Sequence, residues 1–237
     1  MAKSGVKARV GQSGSPGVEE TREALVRGAV AALKEEGFVG ASARAIARRA
    51  GCNQGLVFYH FGSVANLLLA ALDDVSEARR VHYQAAVDRA DGMGELVDAA
   101  QAIFEEDLDA GHIAVLAEMI AGASATPGLA TEVAARIAPW RAFTADALRG
   151  VLEGSPLATV VEPDVAAHAV VALYLGLEML AHLDGERTAA LALFDRARLL
   201  AGLLEALGLP TTASHPNRSV DATQSTHTAP PAREEAQ

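Results

Sequence analysis

The chain of 237 residues has one cysteine, Cys52, which excludes an internal disulfide and makes the cytoplasm, a reducing compartment, the expected location. Its place at a normally apolar turn position reads as that of a small core residue. Aromatic residues make up only 4% of the chain, too few for a pocket built mainly to stack flat rings. No apolar run approaches the ~18 consecutive residues of a membrane span. The start, "MAKSGVKARVGQSGSPG", carries charges but no apolar stretch of a secretion signal. A membrane partner is therefore not expected. There is no Gly-rich phosphate loop, nucleophile elbow or metal-ligand cluster, so the reading is of a protein that is not an enzyme and holds neither cofactor nor metal. Period-2 alternation rich in β-branched and aromatic residues is missing as well, which excludes strands, and no repeat recurs at solenoid periods.

What is present is half apolar, and its charge is unevenly placed. The formal charge is −10, which taken whole argues against a nucleic-acid partner. The first 65 residues, however, hold nine Lys/Arg against five Glu, whereas the remainder holds eleven basic against twenty-five acidic residues. A polyanion is thus expected to approach the N-terminal end only.

Apolar spacing of helical period fills the middle of the chain, and the expected fold is all-α. Residues 1–18 read as a disordered basic arm, 19–66 as a helix-turn-helix DNA-binding domain, 67–209 as a larger helical ligand-binding and dimerisation domain, and 210–237 as a disordered tail. The first helix is expected from about Glu20 to a stop at Gly37. Ser42 caps a short second helix ended by Gly51, a third begins near Asn53, and Ser63 caps a fourth. Further helices are expected at about 73–90, 94–110, 112–124, 127–152, 163–183 and 186–207, with Pro139 kinking or splitting the one that contains it.

The stretch "SARAIARRAGCNQGLVFYHF" holds the functional signal. Ala47, Gly51 and Val57 have the spacing of a tight helix-turn-helix: a small residue where helices touch, a glycine for a left-handed turn, and an apolar anchor. Asn53 and Gln54 open the second helix, where amides can pair with adenine in the major groove, and Gly55 lets the backbone come close. Arg44 can reach a phosphate or a guanine edge, and Tyr59 and His60 can reach phosphates or thymine methyls.

Residues 20–72, through "REALVRGAVAALKEEGF", "SARAIARRAG" and "NQGLVFYHFGSVANLLLAAL", resemble the N-terminal domain of the TetR family of transcriptional regulators. The resemblance implies a homodimer, an operator of double-stranded DNA, and a C-terminal helical domain that binds a small-molecule effector, usually with repression relieved by it. Its DNA-contact pattern falls on Arg44, Asn53, Gln54, Leu56, Tyr59 and His60. Two positions depart from it: Phe58 replaces the usual phosphate-binding Tyr, and Val64 replaces the Lys that opens the fourth helix. A TetR-like all-α interaction module that has lost DNA binding is the alternative these departures motivate.

The segments at 163–183 and 186–207 are apolar around more of their circumference than a lone surface helix tolerates, and the resemblance pairs them with their two-fold mates. Candidate cavity residues are Phe104, His112, Glu118, Met119, Trp140, Phe143, Tyr174, Glu178 and His182. Glu178 and His182 stand at i and i+4, a spacing compatible with a metal, but without a third ligand they read as an ordinary side-chain pair.

Overall fold

The computed structural model of the chain describes residues 17–207. The expected tail, and the expected basic arm up to residue 16, lie outside the described residues. Among those described, every regular element is helical: α1 (Val18–Gly40), α2 (Ala43–Ala50), α3 (Gly55–Phe61), α4 (Val64–Val87), α5 (Met93–Ala110), α6 (His112–Ala123), α7 (Leu129–Leu152), α8 (Pro163–Asp184) and α9 (Thr188–Ala206), with a 3-10 turn at Pro156–Thr159.

Local chemistry sets the ends of the first four helices. Glu20 folds back so that its Oε2 accepts the Gly17 N–H at 2.9 Å, and it stands with Glu19 in the first turn, where negative charge favours a helix start. Ser42 Oγ accepts from the Ala45 N–H at 3.2 Å and Ser63 Oγ from the Asn66 N–H at 3.1 Å, so both expected caps form. Gly51 ends α2 in the left-handed region at φ 66°. Helix α1 breaks where Gly37 takes φ 70°, but its path resumes for one further turn to Gly40.

Two expectations differ from the structure. The chain does not break near Asp73: α4 is one helix from Val64 to Val87, because its apolar positions continue without a turn signal. The domain boundary expected at 66–67 falls inside this helix. Of the kink or split expected at Pro139, the split does not occur, and α7 runs from Leu129 through Leu152. The carbonyl deprived of a partner by Pro139 is that of Ala135, an exposed residue, so water can replace the missing donor.

The largest core is built on α1. Leu25, Ala29, Ala32 and Leu33 meet Ile46 and Ala47 of α2, Val57 of α3, and Leu67, Leu68, Ala71 and Leu72 of α4. Val115 and Met119 of α6 and Leu129 and Val133 of α7 belong to the same core, so the N-terminal helices are packed directly on the rest of the chain. A second core joins Phe104, Ala181 and Ala190, with Tyr174 and Phe194 packed against it.

Helix α8 averages a hydropathy of 1.5 over eighteen residues, long and apolar enough by length and composition to cross a membrane. Its apolar content is nevertheless interrupted by Glu178, fully buried and facing Arg79 of α4. Most of its large exposed residues, like those of α9, are leucines.

Gly28 sets the approach of α1 to α2. A Cβ there would lie 2.9 Å from the Ile46 carbonyl oxygen and 3.4 Å from the Ala50 nitrogen, both backbone atoms that cannot swing aside. Gly28→Ala should therefore destabilise the protein by about 1–3 kcal/mol despite alanine's higher helix propensity. Denaturant titration reads this directly, and a variant more stable than the wild type would show that α1 and α2 can separate without cost.

Candidate nucleic-acid interface and ligand cavity

The turn between α2 and α3 is shaped by its own backbone. The Cys52 N–H donates to the Ala47 carbonyl at 3.0 Å and the Val57 N–H to the Gln54 carbonyl at 3.2 Å. Val57 is fully buried and fixes α3 to the core, while Leu56 and Phe61 are half-buried against it. The opposite face is open: Gln54 is exposed just ahead of the helix, and Tyr59 is 76% exposed. Half-buried His60 meets Tyr59 edge to face with centroids 4.9 Å apart.

Asn53 precedes α3 rather than lying on it. Its Oδ1 accepts from the Gly55 N–H at 2.8 Å, which occupies the amide oxygen and leaves the amide NH2 as the outward donor. Gly55 is exposed, and a Cβ there would stand 3.2 Å from that same Asn53 oxygen, so its small size serves the turn as well as any approach of DNA. Leu56 is turned partly into the core, which limits what it can offer outside. Cys52 is half-buried beside these residues, and burial pushes its thiol up, away from reactive thiolate character.

Not all the positive charge of this unit is available to a polyanion. Arg49 lies 2.7 Å from Glu35 and 2.6 Å from Glu36, and Arg48 lies 3.2 Å from Glu36, so α2 is tied back to α1. Arg22 and Arg27 face Glu19 and Glu23 along α1. Arg44, exposed in the first turn of α2, makes no ion pair among the described residues.

A cavity of about 330 Å³ lies among α4 to α9. Its wall is mainly Leu, Val, Ile and Ala, with the rings of Tyr83, Trp140, Phe143, Tyr174 and Phe194. The polar side chains gather on one side. Arg79 makes an ion pair with Asp107, which also accepts a hydrogen bond from the Tyr83 hydroxyl. The Tyr174 hydroxyl donates to Asp107 at 3.2 Å, and His112 Nδ1 lies 2.9 Å from it. Arg79 stacks over the Trp140 ring with 5.0 Å to its centroid. Burial alone would raise the Asp107 carboxyl, but His112, the Arg79 charge and Tyr83 together hold it below its ordinary value.

Glu178 is in the opposite condition. It is fully buried, neither carboxylate oxygen accepts a hydrogen bond, and Arg79 is 3.6 Å away and already engaged by Asp107. Burial pushes its carboxyl up to about 8, against the pull of Arg79 and with the push of Asp107. Protonated, Glu178 can donate to Asp107; ionised, it has only the distant guanidinium. The Tyr83 and Tyr174 phenols are likewise raised, chiefly by burial.

The sequence-derived cavity residues divide four ways. His112, Trp140, Phe143, Tyr174 and Glu178 line the cavity. Phe104 and Met119 are fully buried in the two cores, and His182 is exposed, so Glu178 looks across to α4 rather than along α8. Glu118 lies at the junction with α1, where its Oε2 accepts the Phe38 N–H at 2.8 Å.

A family model described as bacterial regulatory proteins, tetR family, matches residues 25–71. The helix-turn-helix unit is that of the TetR family. A member of the TetR family from Streptomyces coelicolor A3 is 25% identical with a TM-score of 0.57, over 78% of this chain and 98% of that one. The transcriptional regulator FadR from Bacillus subtilis, in complex with stearoyl-CoA, is 12% identical with a TM-score of 0.62, over 76% and 96% of the two chains. The multidrug binding protein EbrR, complexed with malachite green, is 24% identical with a TM-score of 0.55, over 77% and 96%. No curated protein matches the chain.

Both departures from the TetR pattern have a visible structural side. Val64, at the lysine position, is packed against the α1 core, whereas Phe58, at the tyrosine position, is 53% exposed. The polar residues that sequence reasoning missed are Arg79, Tyr83 and Asp107. The available signal was an acid three residues after Phe104 on the apolar stripe of α5, together with Arg79 and Tyr83 one helical turn apart on α4.

Glu178 has a consequence for stability. Its folded-state value lies above the ordinary 4.5, so the stabilisation is complete below that value and is lost as pH rises through about 8. Asp107 acts in the opposite sense, losing its contribution only as pH falls below the ordinary carboxylate range. Stability of the wild type should therefore decline from about pH 5 to about pH 9, and Glu178→Gln should flatten that decline and be the more stable protein at the alkaline end. Denaturation midpoints across this window check it, and identical slopes would assign the pH dependence to another group.

Proposed function

We propose that the protein is a sequence-specific DNA-binding transcriptional regulator that works as a homodimer, a repressor released from a pseudo-palindromic operator by a small-molecule effector. The observation that carries this reading is the outer face of α3. Gln54 and Tyr59 stand exposed, with the Asn53 NH2 beside them, on a short helix whose inner side is fixed by buried Val57. That is the arrangement by which a recognition helix offers amides and hydroxyls to a major groove. Arg44 supplies the adjoining cation, and His60 and Gly55 complete the contact surface.

A homodimer is supported by the surface of α8 and α9. Leu173, Leu180 and Leu183 on the first, Leu199, Leu200 and Leu203 on the second, and Leu207 just past its end are each more than half exposed. A second copy pairing through these helices would cover a face too apolar to be left to water. The same pairing accounts for the hydropathy of α8 without a membrane, in keeping with a cytoplasmic regulator. In this reading residues 19–66 serve as the DNA-binding domain and 67–209 as the ligand-binding and dimerisation domain, with α4 shared by both. Two subunits would then set their α3 helices into successive major grooves, roughly 34 Å apart.

The cavity among α4 to α9 is the effector site in this reading. FadR and EbrR hold stearoyl-CoA and malachite green in the same fold, which supports a small-molecule effector without identifying it. An effector acts only by its difference in affinity between a conformer that fits the operator and one that does not.

Selection from a pool of random duplexes by the purified full chain tests the reading. Enrichment of an inverted repeat is expected, and Gln54→Ala should weaken binding to it by ~1–3 kcal/mol while leaving random duplex binding unchanged. Failure to enrich any sequence would favour the alternative, a TetR-like interaction module that has lost DNA binding, for which Phe58 and the packed Val64 are the structural motive.

A further inference from the structure

The polar side of the cavity holds one buried acid without a hydrogen-bond partner, and that acid indicates what the cavity takes up. Arg79 is the cation on its polar side, and Asp107 engages it at close range while Trp140 covers its face. A carboxylate or phosphate ligand would have to break that pair to reach the guanidinium. Glu178 presents the reverse case: a buried acid lining the cavity with both oxygens unfilled by any hydrogen bond. The groups around it are Arg79 and Tyr83 from α4, Asp107 from α5, His112 from α6 and Tyr174 from α8, while α7 and α9 contribute the rings of Trp140 and Phe194. Arg136, which also lines the cavity from α7, lies 2.8 Å from Asp73 and is neutralised there.

Resting on the effector reading above, we propose that the cavity binds a small organic cation, an apolar body with one protonated amine, and that the amine docks on Glu178. The ammonium supplies the N–H donors that both Glu178 oxygens lack, and its charge balances the second carboxylate in a site with one engaged guanidinium. The apolar wall takes the body, and the rings of Phe143 and Tyr174 line the same cavity. With the cavity empty, burial keeps the Glu178 proton in place up to about pH 8, and the arriving ammonium displaces that proton to solvent and pairs with the carboxylate left behind.

The test uses the full chain and three probes sharing one ten-carbon chain: decylamine, decanol and decanoate, titrated calorimetrically below their micelle concentrations at pH 8. Decylamine should bind at least tenfold tighter than decanol, and decanoate weakest. In Glu178→Gln the amine should lose at least tenfold while decanol changes little. Decanoate binding as tightly as the amine, or amine binding that is indifferent to Glu178→Gln in a folded variant, would overturn the proposal. The wild-type comparison of head groups stands even if the variant fails to fold. All arms are read without DNA, so a chain that ignores these amines yet selects an operator defeats only the cation assignment, and one that binds amines but no operator defeats only the regulator reading.

Discussion

The backbone N–H of Phe38 is left without a helical partner because α1 breaks at Gly37, and Glu118 of α6 takes it at 2.8 Å. The position of the DNA-facing unit on the rest of the molecule depends on this contact. Gly37 is needed for its φ of 70°, and a Cβ there would also push on the Glu118 Oε2 at 2.8 Å, the atom that takes the Phe38 N–H. Directly behind, the Phe38 ring lies so close to Gly122 that a Cβ at that position would be 2.4 Å from it. A charged acceptor on a partly buried N–H contributes about 1.5–3 kcal/mol, comparable with a buried side chain, and unlike an apolar contact it fixes direction. Lys34 adds a second tie by donating to the Ala110 carbonyl at 2.8 Å, at the end of α5.

Helix α6 thereby touches both parts of the proposed mechanism. Its first residue, His112, lies 2.9 Å from Asp107 at the polar side of the cavity, and Glu118 holds the break in α1 less than two turns further on. Val115, between them, and Met119, next to Glu118, are fully buried in the core shared with α1 and α4. A close-packed core of this kind does not deform gradually, so in the proposed regulator a shift of α6 at the cavity would be passed to α1 and, through the close approach at Gly28, to α2. This gives the regulator reading a physical route from effector to recognition helix.

How much of this was legible in the sequence follows from the range of the interactions. Ser42, Gly51 and Ser63 act within a few residues of themselves, and Val57 follows them at a fixed spacing, so the helix-turn-helix could be read in the order in which it is written. Whether Pro139 breaks α7 depends on the exposure of Ala135, a tertiary fact that no local pattern contains. The Asp107 cluster joins residues 24 and 28 positions apart on different helices, beyond the reach of periodicity. Glu178 was singled out, but beside His182, its neighbour along the helix; the residue that matters to it, Arg79, arrives by folding. Phe104 and Met119 show the converse limit, since an aromatic or thioether on an apolar stripe looks the same whether it borders a cavity or fills a core.

The central claim is that the occupancy of the cavity governs operator binding through α6, and it can be tested without knowing the effector. Ala147 lines the cavity from α7, and Ala147→Trp would fill part of its volume permanently. Operator affinity of this variant, measured on the selected inverted repeat with near-ultraviolet circular dichroism to confirm a native fold, should fall tenfold or more. An affinity equal to that of the wild type in a folded variant would contradict the account, because the cavity could then be filled with no message reaching α3.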